Sequence, residues 1–151
     1  MNTPLLRNPA CAGMPGIHQV QYIDIADVIR IQHTPEGSVI VPKDGINPSD
    51  IEADSVSAVS EYLEGQAFRH TADILYHGTA TSADPILEAM TQRRFLIIYT
   101  DNDGTRWLLG TQYTPLAFTF SQTNDGEPDG VTAYNLHFEA LCEMRATRII
   151  A

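Results

Sequence analysis

The sequence predicts a mainly β protein: an antiparallel β-sandwich or half-barrel with one short flanking α-helix. Three observations carry this. Several stretches alternate apolar and polar residues with period two, among them Ala67 to His77 and Leu116 to Ser121. Short turn signals separate them, Thr34-Pro35-Glu36-Gly37 and Asp101-Asn102-Asp103-Gly104. A helix start, Asp84-Pro85, is followed by apolar residues at helical spacing.

The elements follow in order. Residues 1–16 contain Pro4, Pro9, Pro15, Gly13 and Gly16 and read as an extended arm. A single β-rich domain fills 17–151. Gln19 to Gln32 is rich in isoleucine and valine, but its alternation slips near Asp24 to Asp27, where a bulge or a break into two strands is expected. The second part pairs as a hairpin with Ser38 to Val41. A long polar loop follows at about 42–57. Val56 to Glu64 suits a helical turn or a strand equally. In the strand Ala67 to His77, Phe68, His70, Ala72, Ile74 and Tyr76 share one face. The helix begins with Asp84 as cap and ends near Gln92. The next strand, Arg93 to Thr100, is apolar on both faces and should be buried on both. Thr105 to Gly110 returns from it, and another strand starts at Pro115. Gln122 to Gly130 is an acidic loop. Val131 to Ile150 reads as one long strand with Tyr134, Leu136, Phe138, Ala140, Cys142 and Met144 on one face.

The chain has 151 residues, and 43% of them are hydrophobic, enough for a core and against wholesale disorder. The formal charge is −10, from 19 acidic against 9 basic side chains. Lys43 is the single lysine and Arg93-Arg94 the one basic pair, so there is no basic stripe of the kind phosphate binding needs. An acidic surface still suits a passage through which DNA slides without sticking. Cys11 and Cys142 lie too far apart in character, arm and strand, to suggest a disulfide framework, and they fit a reducing compartment. There is no apolar run long enough to span a membrane and no signal-peptide pattern at the start.

Candidate chemistry is sparse. The histidines are His18, His33, His70, His77 and His137, and none has metal-ligand spacing to another ligand; His70 and His77 fall on opposite faces of one strand. Asp101, Asp103 and Gly104 resemble the start of a calcium loop, but the closing position holds Gln112, and a hairpin turn explains them. Asp125, Glu127 and Asp129 lie beside Gly126, Pro128 and Gly130 in an exposed turn, where desolvation is small; a solvated loop explains them, with cation binding as the lesser alternative and catalysis behind it. Nucleophile-elbow, P-loop and dinucleotide fingerprints are lacking. Cys142 alternates into an apolar face as a core thiol. No catalytic, cofactor-binding or metal-binding residue is therefore assigned, and no cofactor is expected. The unusual feature is the last strand. Ordinary strands run about 5–6 residues, so a strand from Val131 to Ile150 would overhang its sheet and offer an edge to another chain, unless it breaks near Ala140.

The run Phe95 to Gly104, then Trp107-Leu108-Leu109-Gly110, then Pro115-Leu116, Phe118 and Phe120, resembles small tail-structural proteins of bacteriophages. The likeness covers roughly Ala67 to Arg148 and lies in the cadence of strands and turns. It implies a tail-tube-like fold assembling as a ring, often hexameric, around a DNA channel, at the tube, terminator, baseplate or adaptor position. The arm and the long loop would then make subunit contacts. On this reading the interface includes Met1, Arg7, Pro9, Asp44, Ile46 and Ile51, together with Glu143, Arg145 and Arg148 on the last strand. Its partners are further copies and other tail proteins, with DNA only as cargo, and its place is the virion after assembly in the host cytoplasm. The alternative is a monomeric β-barrel or sandwich binding module for a small ligand or a protein partner, with a pocket lined by aromatic residues such as Phe68, Tyr99 and Trp107. An enzyme would need a site assembled from residues distant in sequence.

Overall fold

The computed structural model describes residues 17–53, 55–65, 67–123 and 131–150. The strands are β1 (Ile17–Asp24), β2 (Val28–Thr34), β3 (Gly37–Pro42), β4 (Ser49–Asp50), β5 (Ser55–Leu63), β6 (Ala67–Thr79), β7 (Arg94–Asp101), β8 (Arg106–Leu109), β9 (Leu116–Thr123), β10 (Val131–Cys142) and β11 (Thr147–Arg148). One helix, α1 (Ala80–Met90), joins β6 to β7. The expected class holds: a mainly β protein, antiparallel throughout its named strand pairs, with one helix.

The main sheet runs β5-β6-β10-β9-β7, with β8 and β11 continuing beside β7 and β1 on its other edge. Short β4 pairs with β1 through Gln21–Asp50 and Tyr22–Ser49, and a few residues later the chain enters β5. The sheet thus curls back toward β1 as a half-barrel. Inside lies an aromatic core. Phe95, Phe118 and Phe138 are buried, with ring centroids 4.8 to 6.3 Å apart, and Tyr134 lies beside them. Ala83, Leu87 and Met90 of α1 pack onto this core from one end. Asp84 does not cap the helix. The helix begins at Ala80, and Pro85 sits inside it. The Asp84 carboxylate instead accepts a hydrogen bond of 2.5 Å from the Tyr134 hydroxyl, which binds helix to sheet.

The hairpin β2-β3 forms a second small sheet on the outer side of β7. The chain breaks between β1 and β2 where the alternation slips, in a 3-10 turn at Ile25–Asp27 capped by the Asp24 side chain. Ile23, Val28, Ile31, Leu96, Ile98, Leu108 and Ile149 make a separate aliphatic core there. Strand β7 is buried on both faces, as its sequence predicts: Phe95 and Ile97 face the barrel, Leu96 and Ile98 the hairpin.

Three further expectations are corrected. The stretch 42–57 is not one loop. Its Ser49–Asp50 pair with β1 while the Gln19 and Gln21 amides donate to the Asp50 carboxylate, and β5 already starts at Ser55. The ambiguous Val56 to Glu64 is this strand. Nor is Val131 to Ile150 a single overhanging strand. It ends at Cys142, turns through 143–146 and resumes as the two-residue β11 against β8. Met144 gives its carbonyl to His70 and Ala146 its amide to Ser60, and these remote partners draw the chain out of line. Moreover β10 is an interior strand, paired with β6 on one side and with β9 on the other. It offers no free edge over the paired span.

Candidate functional site

The open edge lies elsewhere. Among the described residues β5 pairs with β6 alone and ends the strand order of the main sheet. Its sequence, Ser-Val-Ser-Ala-Val-Ser-Glu-Tyr-Leu, holds no lysine and no proline, and its register with β6 is continuous from Ser55 to Leu63. Natural sheets blunt such edges with charges, prolines or bulges. Here one glutamate, Glu61, is the whole charge of the strand. Val56 and Ala58 turn inward to the core, while Val59 is 47% exposed and Tyr62 62% exposed. Backbone groups on the unpaired side can be satisfied by water or by another strand.

Behind this edge the outer face of β6 and β10 carries interlocked charges. His137 places Nδ1 2.6 Å from Asp73 Oδ1 and Nε2 2.9 Å from Glu139 Oε1. Arg69 lies within 3.8 Å of both Glu61 and Glu139. The hydrogen bond to Asp73 raises the His137 pKa, with burial opposing and Glu139 assisting. Leu141, on the same outer row, is 56% exposed. The arrangement ties the face together and leaves few charges spare for a ligand.

His70 is placed otherwise. It is fully buried, and its Nδ1 accepts from the Gly110 amide at 2.8 Å while Nε2 lies 2.8 Å from the Met144 carbonyl. Those contacts fix the neutral tautomer with hydrogen on Nε2. Burial lowers its pKa, against the raising effects of the Met144 carbonyl and Glu143. The ring joins the loop after β8 to the turn after β10, near the start of β6. Gly110 serves this close fit: its φ is +92°, and a Cβ there would meet Leu116 Cδ1 at 2.6 Å. Cys142 is buried, and its thiol pKa is raised by that burial. Tyr134, buried and bound to Asp84, has its pKa pushed up to about 12. Each of these polar groups already has a structural partner.

Two clefts flank α1, one of about 650 Å³ and the other of about 490 Å³, and share Tyr22, Ile86 and Met90. Ile46 and Phe95 help to floor the larger, Ile51, Tyr76 and Leu136 the smaller. Acidic side chains line both: Asp24 and Asp27 in one, Asp50 and Glu52 in the other. Arg93 answers Asp24 at 2.8 Å. Among the described residues no group of three His, Cys, Asp or Glu side chains is arranged to hold a metal ion, and no helix is long and apolar enough to cross a membrane.

The expected interface residues that the structure describes lie on several elements. Met1, Arg7 and Pro9 lie outside the described residues, as do Asp125, Glu127 and Asp129. Asp44 is exposed in the turn after β3, Ile46 packs on the aliphatic core, and Ile51 packs on the aromatic one. Glu143 and Arg145 are exposed in the turn held by His70 and Ser60. Arg148 lies on β11 and donates to the Glu36 carbonyl at 3.0 Å. Sequence reasoning missed β5 as the open edge, because being an edge is a property of strand order. Its one legible sign was a β-competent stretch lacking Lys and Pro. No family model, curated protein or solved structure matches the chain.

Proposed function

We propose that the protein is a non-catalytic structural subunit that assembles with further copies by strand addition at β5. The observation that carries this is the nine-residue edge of the main sheet, which among the described residues pairs with β6 alone. Strand addition satisfies backbone donors and acceptors in a row and needs only compatible side chains on each face. An adjoining strand would also cover the exposed Val59 and Tyr62. The particular assembly is a ring or tube of a bacteriophage tail, a reading that rests on the likeness of Phe95 to Phe120 to small tail-structural proteins. The acidic balance suits a channel that DNA traverses without being gripped. Other tail proteins are then the remaining partners, and the virion is the place of work.

Light scattering coupled to size exclusion tests the edge. The wild type is expected to elute as a multiple of its 16.7 kDa mass. Ser57→Lys with Val59→Lys, both at exposed positions, should return it to the monomer with its circular dichroism unchanged. A wild type that stays monomeric up to millimolar concentration sinks the proposal. A doubly substituted chain that still assembles moves the contact away from β5.

A further inference from the structure

Strand addition at β5 needs a partner edge, and the pairing of the main sheet supplies one. β9 meets β7 only through Leu116 and Ala117, opposite Phe95 and Arg94. Over residues 118–122 it pairs with β10 alone among the described residues. The segment leading into β7 does not fill the gap, because the amides of Thr91, Gln92 and Arg93 donate to α1 carbonyls. β9 reads Leu-Ala-Phe-Thr-Phe-Ser-Gln-Thr, with no charge and no proline, so it lacks the usual guards of an edge. The hairpin edges, by contrast, are covered. The Gln112 side chain accepts from the Ile31 amide and donates to the Ile29 carbonyl along β2, both at 3.3 Å. Along β3 the Ile150 amide donates to the Ser38 carbonyl.

The two open edges match. β5, β6, β10 and β9 alternate in direction, so β5 runs opposite to β9. Two copies set side by side in one orientation therefore bring β5 of one against β9 of the next as an antiparallel pair. Placed so, β5 points its carboxyl-terminal end at the start of β7. That end carries Glu61 and Glu64, and the start of β7 carries Arg93 and Arg94, the one basic pair of the chain. Arg94 and Glu64 are exposed, and neither has an ion-pair partner among the described residues. Even-numbered side chains of both strands face the core, Val56 and Ala58 on one, Phe118 and Phe120 on the other. A register that stops β5 short of Arg94 sets Tyr62 opposite Phe120 and Glu61 opposite Ser121, with Glu64 beside Arg94. Tyr62, 62% exposed in the single chain, then lies against the aromatic cluster. We infer that β5 of one copy adds to residues 118–122 of β9 in the next. This inference rests on the β5 reading above and names its partner. A contact between two different surfaces repeats from copy to copy, which a pairing of β5 with itself could not do.

Cysteine cross-linking tests it in a chain carrying Cys11→Ser; the other cysteine, Cys142, is buried. Directly opposed residues of an antiparallel pair lie within disulfide reach. Glu61→Cys with Ser121→Cys in one chain should give a ladder of covalent multimers under mild oxidation. Each substitution alone should give none, and a mixture of the two single variants should give dimers with one of each. Light scattering follows association in every sample. Arg94→Glu and Glu64→Arg should each weaken it by roughly threefold, and together restore it to within about a factor of two. A ladder from Val59→Cys with Ser121→Cys instead shifts the register by two residues and keeps the partner. A protein that associates but gives a ladder with neither pair overturns the inference, as does a covalent dimer from Val59→Cys alone, which puts β5 against itself. Both results leave the β5 reading standing. Reversals that fail to compensate overturn the placing of Glu64 beside Arg94. A chain that never associates defeats both readings together.

Discussion

Strand β7 separates two cores of different chemistry. On its inner face the half-barrel holds Phe95, Phe118, Phe138 and Tyr134, with α1 at one end. On its outer face the hairpin side holds isoleucine, valine and leucine and, among the described residues, no buried aromatic ring. The inner core is enclosed by strands from most of the domain. The outer one depends on a two-stranded hairpin and on the last residues of the chain. Ile149 fills it, and the Ile149 and Ile150 amides bond to the Arg106 and Ser38 carbonyls. The buried Ser38 hydroxyl meets His33 Nδ1 and Thr147 Oγ1, both at 2.7 Å. Gly37 is so close to the Arg148 carbonyl that a Cβ would clash with it. A large aromatic core and a small aliphatic one thus share one wall, and the small one should open first.

Three experiments break or sharpen that contrast. The largest effect belongs to Phe138→Ala. It removes a fully buried ring from the aromatic cluster and should lower unfolding free energy by about 4 kcal/mol in denaturant titrations. A loss below 1 kcal/mol would mean that the interior is loosely filled. Next comes Ile149→Ala, at about 2 kcal/mol. Hydrogen exchange should quicken in β2 and β3 by roughly 30-fold, while β6 and β10 keep their protection. Equal acceleration everywhere would show the two cores to be one cooperative unit.

The smallest effect is a pH dependence set by two histidines with opposite environments. Burial holds the His70 pKa below 6.5. The unfolded chain then binds a proton that the folded one refuses, so stability falls as pH drops through 6.5 toward the folded value, by at most about 1.4 kcal/mol per unit. Asp73 raises the His137 pKa above 6.5. Its contribution is present below 6.5 and is lost as pH rises through the folded value. The His137 side chain is 36% exposed, so this alkaline limb should be slight and should fade in about 0.5 M salt. Thermal unfolding between pH 5.5 and 8 should peak between the two limbs. His137→Gln should remove the alkaline limb alone. A profile that keeps rising as the pH falls through that range contradicts the role given to His70.

The strands that alternate were legible because period two maps directly onto a buried and an open face. Ala67 to His77 and Leu116 to Phe120 therefore fell where expected, and the double burial of Phe95 to Ile98 was readable from apolar residues at successive positions. What failed was set by remote contacts. Nothing local in 143–146 marks a turn, since neither Gly nor Pro occurs there; His70 and Ser60 make it. Asp84-Pro85 reads as a helix start by local rule, yet the helix begins a turn earlier and Tyr134 takes the carboxylate. The candidate edge was misplaced for the same reason. Length along the chain suggested β10, while the pairing of β10 on both sides leaves β5 exposed.

The interior position of β10 has a consequence for how the molecule is made. It pairs with β6, some 60 residues earlier, and bridges β6 to β9. Until that late segment leaves the ribosome, β6 and β9 each present an unfinished side, and the aromatic cluster lacks Tyr134 and Phe138. Folding of this sheet should therefore wait for the synthesis of β10 and proceed slowly, with nascent chains that are prone to join one another before that strand is made.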